Sequence, residues 1–300
     1  MRAILSTLLI LLATTAYAGG TSPTAPDPAP DAGAETAALP EKAKEQSCSN
    51  PDALGVSRTV EVDTTGGPGF GMEHYKAYDF LQDKEVVLTF DDGPQVRTTT
   101  AILDALEHEC TKAIFFSLGK MAIGLPNILR DVARRGHTIG THTWSHKDMR
   151  KASDQEAKDE IEKGISAVAR GAGVPVTPFF RYPYLRDSQA SLAHLAGRNV
   201  AVFSTDVDSF DFRRQSPDRL VKATMERLNK RGKGILLMHD IQPRTAEAMP
   251  ALLKALKAGG YKIVHMTAKD SLKTLAEYDA LIEKDVKGLP AVGAERPMTS

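Results

Sequence analysis

Two histidines and two aspartates of this 300-residue chain stand at spacings that could hold a metal ion. His142 and His146 are four positions apart, and on a helical turn this spacing would put both imidazoles on one side, where they could bind one metal. Asp91 or the adjacent Asp92 could add an oxygen ligand. Two imidazoles and one carboxylate leave positions open to water and substrate, as in a catalytic metal site. The alternatives are two surface histidines and an acidic turn.

The same residues suggest hydrolytic chemistry. Adjacent side chains diverge, so one aspartate of the pair could bind the metal while the other faces the substrate as a general base. His239 is the natural general acid, because an imidazole titrates near neutral pH, although it could also be a packed side chain. The other histidines lack comparable neighbours and are interpreted as structural or surface groups. They are His74, His108, His137, His194 and His265.

These side chains can act together only if the fold brings them to one place. Seven short β-rich runs alternate with stretches of helical periodicity, which predicts parallel strands with helical crossovers and therefore an α/β fold. An open doubly wound sheet and an incomplete TIM-like barrel both fit this count. The predicted strands cover 85–90, 113–117, 137–141, 178–181, 200–204, 234–238 and 261–265. The predicted helices cover 98–109, 126–135, 154–170, 188–196, 217–230 and 245–258.

Ionisable residues follow five of the seven predicted strands. In both candidate architectures ligands bind at the C-terminal ends of the strands, so these residues are expected to converge. They are Asp91 and Asp92, His142 and His146, Arg181, the group Asp206, Asp208 and Asp211, and His239.

Five segments in this order resemble the motifs of the polysaccharide deacetylases, the NodB-homology domains of carbohydrate esterase family 4. The segments are TFDDGP (89–94), HTWSH (142–146), RYPY (181–184), DSFDF (208–212) and LMH (237–239). The resemblance spans roughly residues 85–265 and implies a deformed (β/α)7 TIM-like barrel.

The resemblance also implies a role for each matching position. Asp91 would be the catalytic base and Arg181 would orient it. His239 would be the general acid, tuned by Asp211. The backbone N–H of Tyr184 would help to stabilise the oxyanion.

The metal and substrate sites follow from the same resemblance. Asp92, His142 and His146 would hold the metal, usually Zn²⁺, with Co²⁺, Mn²⁺ or Ni²⁺ also possible. Leu237 would line the pocket for the acetyl methyl group, and Pro183 and Phe212 would lie beside the substrate. Phe212 departs from the tryptophan that is usual at its position, so it keeps an apolar wall and loses an indole N–H.

The expected function is therefore metal-dependent removal of N-acetyl groups from a glycan that contains N-acetylglucosamine, such as chitin, its oligomers or peptidoglycan. An O-acetyl xylan esterase using the same site and a catalytically silent glycan-binding module are the alternatives. The 38 basic and 38 acidic side chains give no net charge, which argues against a nucleic-acid partner and agrees with an acetylated glycan as partner. The sequence does not give an oligomeric state.

The chain ends predict export. A basic start, a short apolar run and small residues before the cleavage point are typical of a signal peptide, and no later segment is apolar enough to remain as a stable membrane anchor. We therefore expect a periplasmic or secreted protein. The expected organisation is a signal peptide (1–18), a disordered Pro/Ala linker (19–45), an N-terminal extension packed on the barrel (46–84), the deacetylase domain (85–270), and a C-terminal helix with a flexible tail (271–300).

Only two cysteines are present, and a disulfide between Cys48 and Cys110 suits an exported protein. Such a bond would join the extension to the barrel near the second predicted strand. Closing the loop would contribute about 4 kcal/mol in the chain-entropy treatment. Two free thiols are the alternative.

Overall fold

The computed structural model describes residues 48–287. The predicted signal peptide, the linker up to residue 45 and the tail beyond residue 287 lie outside the described residues. The strands are β1 (Arg58–Val62), β2 (Gly69–Phe70), β3 (Glu85–Asp91), β4 (Ile114–Ser117), β5 (Thr138–Thr141), β6 (Phe179–Arg181), β7 (Ala201–Phe203), β8 (Val207–Asp208), β9 (Gly234–His239) and β10 (Lys262–Ala268). The helices are α1 (Thr98–His108), α2 (Gly119–Gly124), α3 (Pro126–Arg134), α4 (Asp154–Ala172), α5 (Gln189–Gly197), α6 (Pro217–Arg231), α7 (Pro243–Ala258) and α8 (Ala276–Lys287).

The named strands pair in parallel. From β3 the pairing runs through β4, β5 and β6 to β7. On the other side β3 pairs with β9, and β9 pairs with β8, which follows β7 closely along the chain. Each predicted strand and helix is present within a few residues of its expected bounds. The α/β prediction is confirmed, and the arrangement agrees with a deformed (β/α)7 barrel.

Two apolar layers explain why the strands have few polar positions. Along β3 all seven residues are buried, because one face of the sheet packs inward and the other packs on the helices. Val87, Phe116 and Phe203 belong to the inner cluster. Leu88 and Phe90 belong to the larger cluster beneath the helices. The polar residues at the strand ends are therefore exceptions to an apolar pattern.

Local sequence signals mark where the crossover helices begin and end. The hydroxyl of Ser153 accepts from the N–H of Glu156 while the Glu156 side chain reaches back, which forms a capping box at the start of α4. The same helix ends at Gly173, which has a left-handed φ of 69°. Pro217 occupies the first turn of α6, where its missing N–H is tolerated.

The N-terminal extension adds two strands that the sequence did not predict. β1 pairs with β10 over five residues, whereas β10 pairs with β3 over only two. β2 pairs with β7, and Gly71 directly follows it with a φ of 98°. A Cβ at Gly71 would lie 2.6 Å from the backbone of Ser204, so this close approach requires glycine.

A disulfide joins the extension to the loop before β4. Cys48 and Cys110 are bonded, with their Cα atoms 5.7 Å apart. The side-chain amide of Asn50 donates to the carbonyl of His108, and the N–H of Leu54 donates to the carboxylate of Glu109. The start of the described chain is thus held at the end of α1 by covalent and hydrogen bonds.

Within residues 48–287, no helix has the length and apolar character needed to cross a bilayer.

Candidate active site and metal centre

The strand register brings most of the predicted chemical residues to one end of the sheet. Asp206 is an exception, and its predicted convergence was wrong: its Oδ2 accepts from the N–H of Ile235 at 2.7 Å, near the start of β9. Asp91 ends β3 and His239 ends β9, and the two are direct register partners. His142 follows β5 and Arg181 ends β6. Because parallel strands end on the same side, these side chains converge as predicted.

Asp91 is a buried carboxylate held by a buried guanidinium. Nη1 of Arg181 donates to Oδ1 of Asp91 at 2.8 Å and to the hydroxyl of Thr89 at the same distance. Nη2 of Arg181 donates to the carbonyl of Ser204 at 2.8 Å. Arg181 is fully buried, and its guanidinium lies 4.4 Å from the ring centroid of Phe116. The arrangement fixes the orientation of the Asp91 carboxylate through Oδ1 and leaves Oδ2 available.

Asp92 faces both histidines. Its Oδ1 lies 3.3 Å from Nε2 of His146 and 3.5 Å from Nε2 of His142. The ligand atoms of the three residues all lie within 4.8 Å of one another. Oδ1 of Asp92 is buried and has no hydrogen-bond partner among the described residues. A buried carboxylate oxygen without a donor, facing two imidazole nitrogens, fits a divalent cation.

The protonation of the imidazoles also suits a metal. Nδ1 of His142 lies 2.7 Å from the carbonyl of Arg181, so Nδ1 carries the proton and Nε2 is free to bind. Burial and the neighbouring His142 lower the pKa of His146, which keeps this side chain neutral at neutral pH. The carbonyl of Arg181 thus orients the ring of one candidate metal ligand while its guanidinium holds Asp91.

The path of the chain between the histidines differs from the expected helical turn. Residues 142–146 form a bend, with a φ of 71° at Thr143 and 63° at His146. The hydroxyl of Thr143 accepts from the N–H of His146 at 3.0 Å. The two rings lie 5.1 Å apart, so they meet through left-handed backbone positions and not through helical spacing. The expectation of a helical turn was wrong.

His239 is held by Asp211. Nδ1 of His239 lies 2.7 Å from Oδ1 of Asp211, and the backbone N–H of His239 donates to Oδ2 of the same carboxylate at 2.7 Å. Although burial opposes it, the hydrogen bond and charge of Asp211 raise the pKa of His239 to about 9. His239 is therefore protonated at neutral pH, and its Nε2 is the nitrogen left to donate.

Two exposed aromatic rings flank these groups. The ring of Tyr184, 61% exposed, lies edge-on to His146 with centroids 4.6 Å apart. The ring of Phe212, 50% exposed, lies edge-on to His239 with centroids 5.8 Å apart. Exposed aromatic rings beside polar groups are suited to the apolar faces of sugars. The site therefore has an apolar wall on either side.

The remaining predicted residues lie close by. Tyr184 belongs to a single 3-10 turn, Pro183–Leu185, and has a φ of 59°. Its backbone N–H donates to no atom of the described chain, which leaves this donor available. Pro183 is buried at the start of the turn. Leu237 is buried two residues before His239 on β9, so both side chains leave the strand on the same face.

The chain has known relatives. A sequence model described as polysaccharide deacetylase matches residues 80–201. The peptidoglycan-N-acetylglucosamine deacetylase of Bacillus cereus is 32% identical over 184 residues, which cover 60% of the chain and 66% of that relative. The chitooligosaccharide deacetylase of a Bradyrhizobium species is 29% identical over 194 residues, which cover 60% of the chain and 88% of that relative. Among solved structures, the peptidoglycan deacetylase of Bdellovibrio bacteriovorus has a TM-score of 0.66 and 36% identity, covering 73% of the chain and 61% of that protein.

The chain belongs to the polysaccharide deacetylase family. The predicted family membership is confirmed. This family member spans 66% of the length of the Bacillus cereus relative and 61% of the Bdellovibrio structure. The family match ends at residue 201, so it includes Asp91, the two histidines and Arg181 but not Asp211 or His239. The pairing of β9 with β3 brings His239 to the others, and Asp211 is joined to His239 by hydrogen bonds.

Two polar residues of this site were missed in the sequence. The hydroxyl of Thr245 donates to Oδ2 of Asp211 at 2.6 Å across 34 positions of sequence. Asp240 is fully buried; burial raises its pKa to about 7, and its Oδ2 accepts from Thr99 at 2.6 Å. A Cβ at Gly93 would lie 1.9 Å from Oδ2 of Asp240. No sequence pattern around Thr245 indicates its contact with Asp211. By contrast, Asp240 directly follows His239, and this position could have indicated that Asp240 lies near the site.

Trp144 lies between the two histidines in sequence, but its ring contributes to packing. It contacts the cluster of Ile123, Ala167 and Ile282, which joins α2, α4 and α8. Nζ of Lys163 lies 4.4 Å from the centroid of a Trp144 ring. A Cβ at Gly119 would lie 2.7 Å from this indole, so the ring fills a tight space. These contacts favour a packing role for Trp144 beside the candidate metal ligands His142 and His146.

Proposed function

We propose that the protein is a metal-dependent hydrolase that removes N-acetyl groups from glycans containing N-acetylglucosamine and releases acetate. The observation that carries the proposal is that two adjacent aspartates, Asp91 and Asp92, contact different groups. Asp91 accepts a hydrogen bond from Arg181 at 2.8 Å, whereas Asp92 faces Nε2 of both histidines at 3.3 and 3.5 Å. One carboxylate is thereby arranged as a base and the other as a ligand.

The metal would be held by Asp92, His142 and His146. Two imidazoles and one carboxylate suit Zn²⁺ first, with Co²⁺, Mn²⁺ and Ni²⁺ as alternatives. A bound divalent ion would supply Lewis-acid polarisation of the acetyl carbonyl and would lower the pKa of water.

The protein groups supply the proton transfers. Asp91 accepts a proton from the attacking water, and the hydrogen bond from Arg181 keeps this carboxylate oriented. As the oxygen–carbon bond forms, the backbone N–H of Tyr184 donates to the developing oxyanion. Nε2 of His239 then protonates the departing nitrogen, and the carbon–nitrogen bond breaks. The products are acetate and a free amino sugar, and the proton taken by Asp91 returns His239 to its charged form through solvent.

The side chains near His239 suit the proposed substrate. Leu237 offers an apolar surface on the same face of β9, where it could receive the acetyl methyl group. Pro183 and the exposed rings of Tyr184 and Phe212 would line the sugar. The names of the relatives, which act on peptidoglycan N-acetylglucosamine and on chito-oligosaccharides, support an acetylated amino-sugar glycan as substrate.

A panel of acetylated glycans tests the proposal. Protein stripped of metal with a chelator should release no acetate from chitin oligomers or peptidoglycan glycan strands, and added Zn²⁺ should restore release. Acetate released from acetylated xylan but from none of the amino-sugar glycans would contradict N-deacetylation and favour an O-acetyl esterase. Full activity after the metal has been removed and quantified as absent would contradict metal dependence.

We also propose that the protein is exported and acts in the periplasm or outside the cell. The signal-peptide pattern of residues 1–18 and the disulfide between Cys48 and Cys110 support this proposal. Fractionation of the native host, with N-terminal sequencing of the mature chain, tests it. A chain that keeps its first residues and remains in the cytosol would contradict export.

A further inference from the structure

Four arginines surround the loop that follows β8 and carries Asp211 and Phe212. They are Arg213, Arg214, Arg227 and Arg244. Within residues 48–287, none of their nitrogens lies within 4.0 Å of a carboxylate oxygen. Many other arginines of the described chain do have such partners, as Arg186 has in Asp148 at 2.9 Å. This loop therefore carries a local excess of positive charge in a chain with no net charge.

Two of the four arginines, Arg227 and Arg244, contact the backbone or an aromatic ring of this loop. Nη1 of Arg244 donates to the carbonyl of Arg213 at 2.7 Å and to that of Asp211 at 3.2 Å. The guanidinium of Arg227 lies 4.9 Å from the ring centroid of Phe210, and its Nη1 donates to the carbonyl of Ser209. Both side chains are half-buried and hold the loop in place.

Arg213 is different because its guanidinium is exposed and donates no hydrogen bond to the described chain. It lies 4.2 Å from the ring centroid of Phe210 and 5.9 Å from that of Phe212. The contact with the Phe210 ring and the nearby Phe212 ring limit the orientations of the planar group while leaving its N–H donors open. A pre-oriented guanidinium with free donors is suited to a carboxylate.

The position of Arg213 relates it to the reaction. The ring of Phe212 is near both groups: its centroid lies 5.9 Å from the guanidinium of Arg213 and 5.8 Å from the centroid of the His239 ring. A sugar held on Phe212 would therefore bring its substituents toward Arg213. On the opposite wall, beside Tyr184, the exposed Arg186 is neutralised by Asp148. Of these two exposed arginines, Arg186 is paired with a carboxylate and Arg213 has no such partner among residues 48–287.

We propose that Arg213, supported by Arg244, binds a carboxylate carried by a sugar next to the N-acetyl sugar that reacts. The inference rests on the proposed deacetylase function and narrows its substrate to an acidic glycan. A lactyl group on an N-acetylmuramic acid residue and the carboxylate of a uronic acid share this chemistry. Either would accept paired N–H groups from one guanidinium, which is a strong and directional contact.

The test compares each acidic glycan with its own methyl ester, which is neutral and otherwise the same. Zinc-loaded protein is assayed for acetate release on a peptide-free tetrasaccharide of alternating N-acetylglucosamine and N-acetylmuramic acid, on a hyaluronan tetrasaccharide, on the esters of both, and on chitin tetrasaccharide. The variants are Arg213→Gln and, as a matched control, Arg214→Gln. Arg214 carries the same charge one position away but is stacked on neither ring.

For the wild type we expect kcat/KM to be about tenfold higher on one acidic glycan than on its ester, because a charged hydrogen bond is lost in the ester. Arg213→Gln should reduce this ratio about tenfold, to near one, and Arg214→Gln should leave it unchanged. The acidic glycan that shows the effect identifies the source of the carboxylate.

Equal kcat/KM on the acid and the ester of both glycans, with acetate still released from chitin tetrasaccharide, would overturn the inference and leave the deacetylase function standing. An equal loss of the ratio in Arg213→Gln and Arg214→Gln would also overturn it, since only long-range charge would then be at work. No acetate release from any of the glycans would overturn the deacetylase function and the inference together.

Discussion

Replacing Asp211 with asparagine should move the alkaline limit of the deacetylation rate to lower pH. Asp211 contacts His239 twice, through Nδ1 and through the backbone N–H, each at 2.7 Å. Asparagine has nearly the same shape and can keep the contact to the backbone N–H and to Thr245. The change therefore removes the negative charge with little change in packing.

The size of the effect follows from the pKa of His239. Burial lowers this pKa, and the hydrogen bond and charge of Asp211 outweigh burial and raise it to about 9. Without that charge the pKa should fall back toward the ordinary 6.5, because burial still lowers it while the charges of Asp91 and Asp92 still raise it. If the pKa falls from about 9 to about 6.5, the protonated fraction of His239 at pH 8 falls about thirtyfold, which is equivalent to roughly 2 kcal/mol.

The assay is kcat for acetate release from a chitin oligomer between pH 5.5 and 9.5, at saturating Zn²⁺. Wild-type kcat should hold on the alkaline side until about pH 9, and the rate of Asp211→Asn should decline from about pH 6.5 upward because the acid form is lost. Thr245→Val removes one hydrogen bond to the same carboxylate without removing charge, so its alkaline limit should stay near that of the wild type.

A uniform loss of rate at every pH in Asp211→Asn, with the alkaline limit in place, would refute this reasoning. Asp211 would then only hold the loop in place, and His239 would draw its pKa from other groups. A shift of the same size in Thr245→Val would refute it as well, because hydrogen bonding and not charge would be responsible.

Three further predictions concern stability. Replacing Cys48 and Cys110 with serine opens a loop of 62 residues and should reduce the free energy of unfolding by about 4 kcal/mol, measured by denaturant titration. Burial lowers the pKa of His265 to about 4, so this side chain takes up a proton more readily in the unfolded chain than in the folded one. The free energy of unfolding should therefore decline as pH falls from about 6.5 toward about 4. The decline should be less steep in His265→Gln. Gly93→Ala would put a Cβ 1.9 Å from Oδ2 of Asp240, so it should lower stability by about 1–3 kcal/mol and abolish acetate release by displacing the adjacent metal ligand.

Each of these has its own control. Unchanged unfolding in the presence and absence of reductant would contradict the disulfide prediction. For His265, an identical pH slope in His265→Gln and the wild type would show that other groups cause the acid loss. Gly124→Ala is the matched control for Gly93→Ala, because a Cβ at Gly124 meets no atom within 4 Å. If both alanine variants behaved alike, the contact with Asp240 would not be the cause.

Much of the fold was predictable because its signals are local. The run that becomes β3 is β-rich and mostly apolar, and it ends at an acidic turn. Ser153 and Glu156 mark the start of α4, and Gly173 marks its end. By contrast, β8 has only two residues, and it forms because it pairs with Leu236 and Leu237 of β9. No local sequence pattern predicts this pairing.

The site was predictable in its residue types and less so in its geometry. Two histidines at positions i and i+4 usually indicate a helix, but here left-handed Thr143 and His146 bring the rings together. Arginine is usually exposed, so nothing in the sequence by itself indicates that Arg181 is fully buried beneath Asp91. Its burial becomes understandable only when Thr89, Asp91 and Ser204 are seen to take its hydrogen bonds.

The most direct test of the account is acetate release from a chitin oligomer by wild-type protein and Asp91→Asn at the same measured zinc content. Asp91 touches Arg181 and lies 3.9 Å from Nε2 of His142 without serving as a proposed ligand, so asparagine should leave zinc bound. We predict one zinc per chain in both proteins, and a loss of kcat of at least about a hundredfold in Asp91→Asn because the base is missing. Wild-type kcat in zinc-loaded Asp91→Asn would contradict the assignment of Asp91 as the base and with it the central claim.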